Sequence, residues 1–235
     1  MINELIFVAY VLTVSSASLI ALMLGKEALV GLICVQAVLV NFLVVKQITL
    51  FGLTATASDA LAVGATLSLN MLQEYYNKTA ARKAIWISFF CALFYTVISL
   101  FHRAYTPAVT DVSQEAFDLL LGPMPRIVIA SLSVYLFVQY IDSALYAYLR
   151  HKLEGGYFVI RNYSSLAISQ LIDTILFSFL GLYGINESFS NIRTIFDIIL
   201  VSYIIKLLVI ILAVPFVRAV KHHLVIKIPR DCPEE

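Results

Sequence analysis

The chain has 235 residues, 61% of them hydrophobic and 13% charged, with a net charge of +1. Its mean hydropathy is +0.91. A soluble domain carries about 25% charged residues and cannot cover this much apolar surface with its own polar groups. Composition therefore excludes a soluble enzyme and a disordered chain, near-neutral charge offers no attraction to nucleic acid, and a lipid bilayer is the expected surrounding.

In chain order, apolar runs occupy residues 2–24, 28–45, 48–73, 84–101, 127–149, 163–183 and 195–217. Each approaches the roughly 20 residues that a membrane helix needs. The first is not expected to be a cleaved leader: it begins with Glu4, lacks a basic head and is too long. A polar hinge, residues 74–83, precedes the fourth run. Between the fourth and fifth, Ser113-Gln114-Glu115 reads as the start of a short amphipathic helix, stopped by Pro123 and Pro125. No run alternates at period two, so strands are not expected. The expected fold is all-α, a polytopic helical bundle in one domain, 1–235. It has seven spans, or six if the first or third run is interfacial or re-entrant, and residues 218–235 form a basic tail. With alternation, Lys26, Lys78, Arg82, Lys83, Arg150, Lys152, Arg161 and the tail bases share one side, against Arg103, Arg126 and Arg193. The excess of bases places that side, and the C-terminus, in the cytoplasm.

Cys34, Cys91 and Cys232 show no CxxC spacing, so no disulfide or zinc framework is expected, and no cofactor or metal. There is no GxxxxGK[ST] motif, so the chain does not hydrolyse ATP itself.

Ionisable groups at membrane depth each cost about 2.5–3.5 kcal/mol on insertion scales. Five stand out: Lys46, Asp59, Asp142, Asp173 and Lys206. Buried ion pairs that only join helices are one explanation. Two of the acids share a context, Gln-x-Ile-Asp-[Ser/Thr]-x-Leu-[aromatic], at Gln139/Asp142 and Gln170/Asp173. Gln and Asp at i and i+3 lie on one helix face, so two such helices facing each other would form a polar chamber. The alternative is packing glue between helices. A carboxylate and an amide complement a guanine-like edge, with aromatics as stacking faces, although composition alone does not select that ligand over other heterocycles or amines.

At these residues the chain resembles the queuosine precursor transporter family, also called the vitamin uptake transporter family. The matching pattern is Arg126, Ala130-Ser131, Gln139 and Asp142, then Arg161, Ser165, Gln170 and Asp173, then Tyr203, Lys206 and Pro215, with Asn41 and Lys46 earlier. The family's Asp-x-x-x-Glu-x-Tyr-Gly element appears as Asn70, Glu74, Tyr76 and Asn77. Asn thus replaces both the acid and the glycine, and Asp59 is a candidate substitute for the lost charge. The resemblance implies an importer of a 7-deazaguanine in the inner membrane. The cargo would be queuine or its aminomethyl or cyano precursors, bound by Asn41, Lys46, Asp59, Asn70, Glu74, Arg126, Gln139, Asp142, Gln170, Asp173, Tyr203 and Lys206. It also implies an architecture similar to the substrate-binding subunits of energy-coupling-factor transporters, so service as such a subunit with a separate energy-coupling module is the alternative reading. A homo-oligomer is compatible with either. A remoter reading, an intramembrane aspartyl protease using Asp142 and Asp173, lacks the Gly-x-Gly-Asp context.

Overall fold

The computed structural model describes residues 2–152 and 158–223. The side chains of Glu74, Lys78, Gln139, Tyr140, residues 142–144, 146–152, 158–163, 165–166 and 209–223 lie outside that description. The helices are α1 (Ile2–Leu24), α2 (Lys26–Leu43), α3 (Asp59–Tyr75), α4 (Lys78–Ala104), α5 (Gln114–Leu121), α6 (Met124–Lys152), α7 (Phe158–Phe177) and α8 (Ile192–His223). Strands β1 (Gln47–Leu50) and β2 (Leu53–Thr56) form one antiparallel hairpin. A π turn (Ser178–Leu182) prolongs α7.

The structure is an all-α membrane bundle. Among the described residues, Ile2–Leu24, Lys26–Leu43, Thr79–Ala104 and Gln114–Val138 are long and apolar enough to cross a bilayer. Their outward faces remain apolar: on α4, Trp86, Phe90, Phe94, Val97 and Phe101 are all exposed. That stripe at helical spacing suits lipid, whereas water-soluble monomers rarely expose so large an apolar patch. Glycine at residue 25, with φ +113°, permits the abrupt reversal between α1 and α2.

Helix ends gather at two poles. At the first, Leu22, Leu29, Leu72, Ala80 and Ala84 join the end of α1, the start of α2, the end of α3 and the start of α4. At the second, Val44, Ile127, Leu182, Phe189 and Ile195 join the end of α2, the start of α6, the π turn and the start of α8. Here Arg103 at the end of α4 pairs with Asp118 of α5 at 2.9 Å. The short helix expected near residues 113–121 is thus present as α5.

The expectation of no strands is corrected at the third run. Instead of one helix over 48–73, the chain forms the hairpin and then the 17-residue α3. Ile48, Thr49, Thr54 and Thr56 are β-branched, a preference of strands. Phe51 and Gly52 take φ +52° and +81°, the two positive values of a two-residue hairpin turn. The turn is tied to α1: the Phe51 N–H donates to Glu4 Oε1 at 3.0 Å, and Asn3 Nδ2 donates to the Thr49 carbonyl. Leu50 and Ala55 pack on Val201 of α8. Hydropathy alone could not separate this hairpin from a helix, because its residues are as apolar as a span.

Candidate functional site

The middle of α8 carries the polar centre. Ser202 and Lys206 are spaced i, i+4 and Tyr203 and Lys206 i, i+3, so all three occupy neighbouring positions on the helix surface. Ser202 lies ten residues beyond Ile192, about 15 Å along the axis, which is roughly half the thickness of a hydrocarbon core. Side chains of α7 and α3 meet this segment from two directions.

On the α7 side, Lys206 Nζ donates to Asp173 Oδ2 at 2.6 Å and to Thr174 Oγ1 at 3.0 Å. The Thr174 hydroxyl in turn donates to the Gln170 carbonyl at 2.7 Å. The Tyr203 hydroxyl donates to the Ala167 carbonyl at 3.3 Å. The Asp173 and Lys206 side chains remain 28% and 26% exposed, so the pair is enclosed but reachable. On the α3 side, the Ser202 hydroxyl donates to both carboxylate oxygens of Asp59 at 3.0 Å each. Thr56, at the end of the hairpin, adds its hydroxyl and N–H to the same carboxylate, and Lys206 lies within electrostatic range of it. Thr56, Ser58, Asp59 and Ser202 are all buried. The break between hairpin and helix is what turns Asp59 toward α8: a continuous helix through residue 59 would have no Thr56–Ser58 corner to hold it.

Of the residues expected at the site, the structure therefore gathers the side chains of Asp59, Asp173, Tyr203 and Lys206, with Gln170 entering through its backbone carbonyl. Others sit elsewhere. Asn41 is buried but donates to the Ala37 carbonyl of its own helix at 2.8 Å. Lys46, expected at membrane depth, is exposed beyond the end of α2, where its carbonyl accepts from the Ala57 N–H. Asn70 is exposed on α3. Arg126 bonds the far end of the α7 extension: Nε donates to the Leu180 carbonyl at 2.9 Å and a terminal guanidinium nitrogen to that of Tyr183 at 2.6 Å. An open cleft beside Arg126, bounded by Asp118, Gly122 and Asn186, is lined by none of the polar residues of α8. The side chains of Glu74, Gln139 and Asp142, and so half of the expected α6–α7 chamber, lie outside the described residues. The Asp173 carboxylate pairs with an ammonium, which is not the shared-proton carboxylate pair that aspartyl proteolysis requires.

Sequence reading missed Ser202 as a partner of Asp59, although its position one turn before Lys206 is visible. It also missed a second polar cluster at the α1–α2–α3 junction. There Ser18 and Ser68 hydroxyls are 2.8 Å apart, and Ser68 donates to Gln36 Oε1 at 3.4 Å. Gly64 lets the helices approach: a Cβ there would meet Gln36 Nε2 at 2.7 Å and Val14 Cβ at 2.8 Å. The visible signal was Gly64-x-x-x-Ser68, a small-residue spacing that brings membrane helices together.

A family described as "Putative vitamin uptake transporter" matches residues 56–220. The chain is 32% identical over 201 residues to a Bacillus subtilis (strain 168) protein named "Probable queuosine precursor transporter", covering 84% of this chain and 85% of that one. No solved structure matches.

Proposed function

Because the chain belongs to the vitamin uptake transporter family and is a multi-pass membrane transporter, not an enzyme, we propose that its cargo is a 7-deazaguanine precursor of queuosine. It imports this cargo across the inner membrane, with the hairpin pole outside and the C-terminus in the cytoplasm. The orientation is supported by the excess of bases on the opposite pole.

The observation that carries this reading is the partly exposed Asp173–Lys206 pair, whose acid lies one turn beyond Gln170 on α7, together with the name of the Bacillus relative. A deazaguanine edge presents an exocyclic amine and a ring N–H beside a carbonyl oxygen. Asp173 is suited to accept the two N–H bonds, while the Lys206 ammonium or the Gln170 amide donates to the oxygen. Charge-assisted bonds of this kind are the strong ones, at about 1.5–3 kcal/mol each. An amine-bearing cargo, queuine or the aminomethyl precursor, offers a cation for a further carboxylate.

The test is competition uptake in cells lacking their own carrier. Labelled queuine competes with the aminomethyl and cyano precursors, guanine and biotin. Queuine and the aminomethyl compound should compete best and biotin not at all. Equal competition by biotin would refute the assignment, and a stronger effect of the cyano compound would show that no carboxylate reads an amine.

A further inference from the structure

Two carboxylates flank one turn of α8, which offers them a single ammonium. Lys206 is on Asp173 at 2.6 Å. Asp59, 8% exposed, is held by neutral donors: Ser202 through both oxygens, and Thr56. A carboxylate so buried, bonded by neutral donors while the nearby ammonium is engaged by another acid, is costly to keep ionised, and it is relieved by a proton or by a cation. We propose that Asp59 is a proton-coupling carboxylate and that transport is driven by proton symport, with Lys206 alternating between Asp173 and Asp59. This rests on the cargo site proposed above, whose Asp173–Lys206 pair is assembled or parted by that alternation.

The geometry allows the exchange. Helical side chains lean toward the N-terminus of their helix, so Lys206 leans back over the turn that holds Ser202 and Asp59. With Asp59 protonated, Lys206 pairs with Asp173, as in this structure. That pair, Asp173 with Lys206 beside it, is the arrangement the cargo edge meets, so proton and cargo favour the same state. When Asp59 loses its proton toward the cytoplasm, Lys206 moves to the new carboxylate, its bond to the cargo is lost, and the cargo is released. One O–H bond forms and breaks on Asp59 in each cycle, and Lys206 remains an ammonium throughout. Among the described residues, α8 brings Lys206 and, nearer its start, Asp197 and Arg193, and α7 brings Asp173, with the Tyr203 phenol beside them. Lys46, between α2 and β1, accepts the Ala57 N–H through its carbonyl, while its side chain is exposed. Strand β2 brings only Thr56. On α1, Tyr10 lies on the face that carries Phe7 and Val14, while Glu4 is bound to the hairpin turn. The charges of α2, Lys26 and Glu27, lie at the opposite pole. On α4, among the described side chains, Arg82 and Lys83 lie at that pole too, and His102 and Arg103 at the other end.

Two measurements test the proposal, one independent of cargo. Infrared titration of the purified protein should show a protonated-carboxyl C=O band that appears with falling pH and is absent in Asp59→Asn. In proteoliposomes clamped at zero potential, an inward gradient of one pH unit should raise queuine accumulation about tenfold for one proton. In Asp59→Asn the ratio with and without the gradient should fall to one, and in Ser202→Ala the infrared band should shift in its midpoint. Absence of a band that Asp59→Asn removes overturns the proposal. So does accumulation that follows a sodium gradient and ignores pH. If the band titrates as expected but no deazaguanine moves, the protonation of Asp59 stands and the cargo assignment fails.

Discussion

Neutralising the Asp173–Lys206 pair separates a binding role from a packing role. Asp173→Asn leaves the ammonium of Lys206 with Thr174 alone among the partners described on α7. Orphaning one member of a fully buried pair costs about 3–5 kcal/mol. Here both side chains keep about a quarter of their exposure, and solvent screening discounts the figure to about 2 kcal/mol. For a chain of this size that corresponds to about 4–8 °C in melting temperature. Lys206→Met should cost a similar amount, since it strands the carboxylate. The double variant Asp173→Asn/Lys206→Met removes both charges, and a double-mutant cycle should recover about 1–2 kcal/mol. Transport should follow a different pattern. Each single variant and the double variant lose charge-assisted contacts worth about 1.5–3 kcal/mol to the cargo, roughly ten- to hundredfold in affinity. The assay is thermal unfolding in detergent alongside queuine uptake in cells, with membrane insertion checked by fractionation. A double variant that regains stability and transports normally would refute the reasoning, because the pair would then be packing only.

Three further outcomes follow from geometry elsewhere. Gly64→Ala places a methyl group 2.8 Å from Val14 Cβ; overpacking of this kind costs about 1–3 kcal/mol and should lower the melting temperature without changing cargo selectivity. Arg126→Met removes two bonds to the Leu180 and Tyr183 carbonyls; it should destabilise the protein by about 1–2 kcal/mol while the apparent affinity for queuine stays the same, and a tenfold loss of affinity would instead place Arg126 in contact with cargo. Asn77→Gly should stabilise by up to about 1 kcal/mol, read by unfolding in detergent. The residue takes φ +151° and ψ +172°, a region that only glycine enters freely, and glycine replaces a capping Asn at a loss of only a few tenths.

Asn77 also shows how sequence departures become physical. Its position is where the family pattern carries glycine, and the backbone adopts a conformation suited to glycine. The asparagine compensates in part by accepting the Ala80 N–H at 2.7 Å as the cap of α4. The helices themselves were legible because an apolar run of membrane length has few alternatives. Their ends were less so: α4 and α8 extend beyond their apolar runs into charged residues, as helices do when they leave the hydrocarbon. The hairpin was hidden for the converse reason. Its residues satisfy the hydropathy of a span, and only the clustering of threonines and the Phe51-Gly52 turn distinguish it.

The candidate site was half legible for a reason that lies in α8. The repeated Gln-x-Ile-Asp drew attention to α6 and α7 as a facing pair, since repetition within a sequence suggests symmetry in space. Yet a carboxylate at membrane depth is placed by its counter-charge, and the base that pairs with Asp173 is 33 residues away on α8. The same argument applies to Asp59, whose hydroxyl partner Ser202 is 143 residues distant. Each acid appears as an isolated anomaly in sequence, but one turn of one helix receives both. A shared base between two acids on different helices links their occupancies: whatever draws Lys206 from Asp173, whether cargo or a deprotonated Asp59, changes what the other acid can bind. That linkage requires the third span to be broken, because only the corner after β2 presents Asp59 at the level of Ser202. The departure from a continuous helix is therefore the feature that makes coupling between proton and cargo geometrically available.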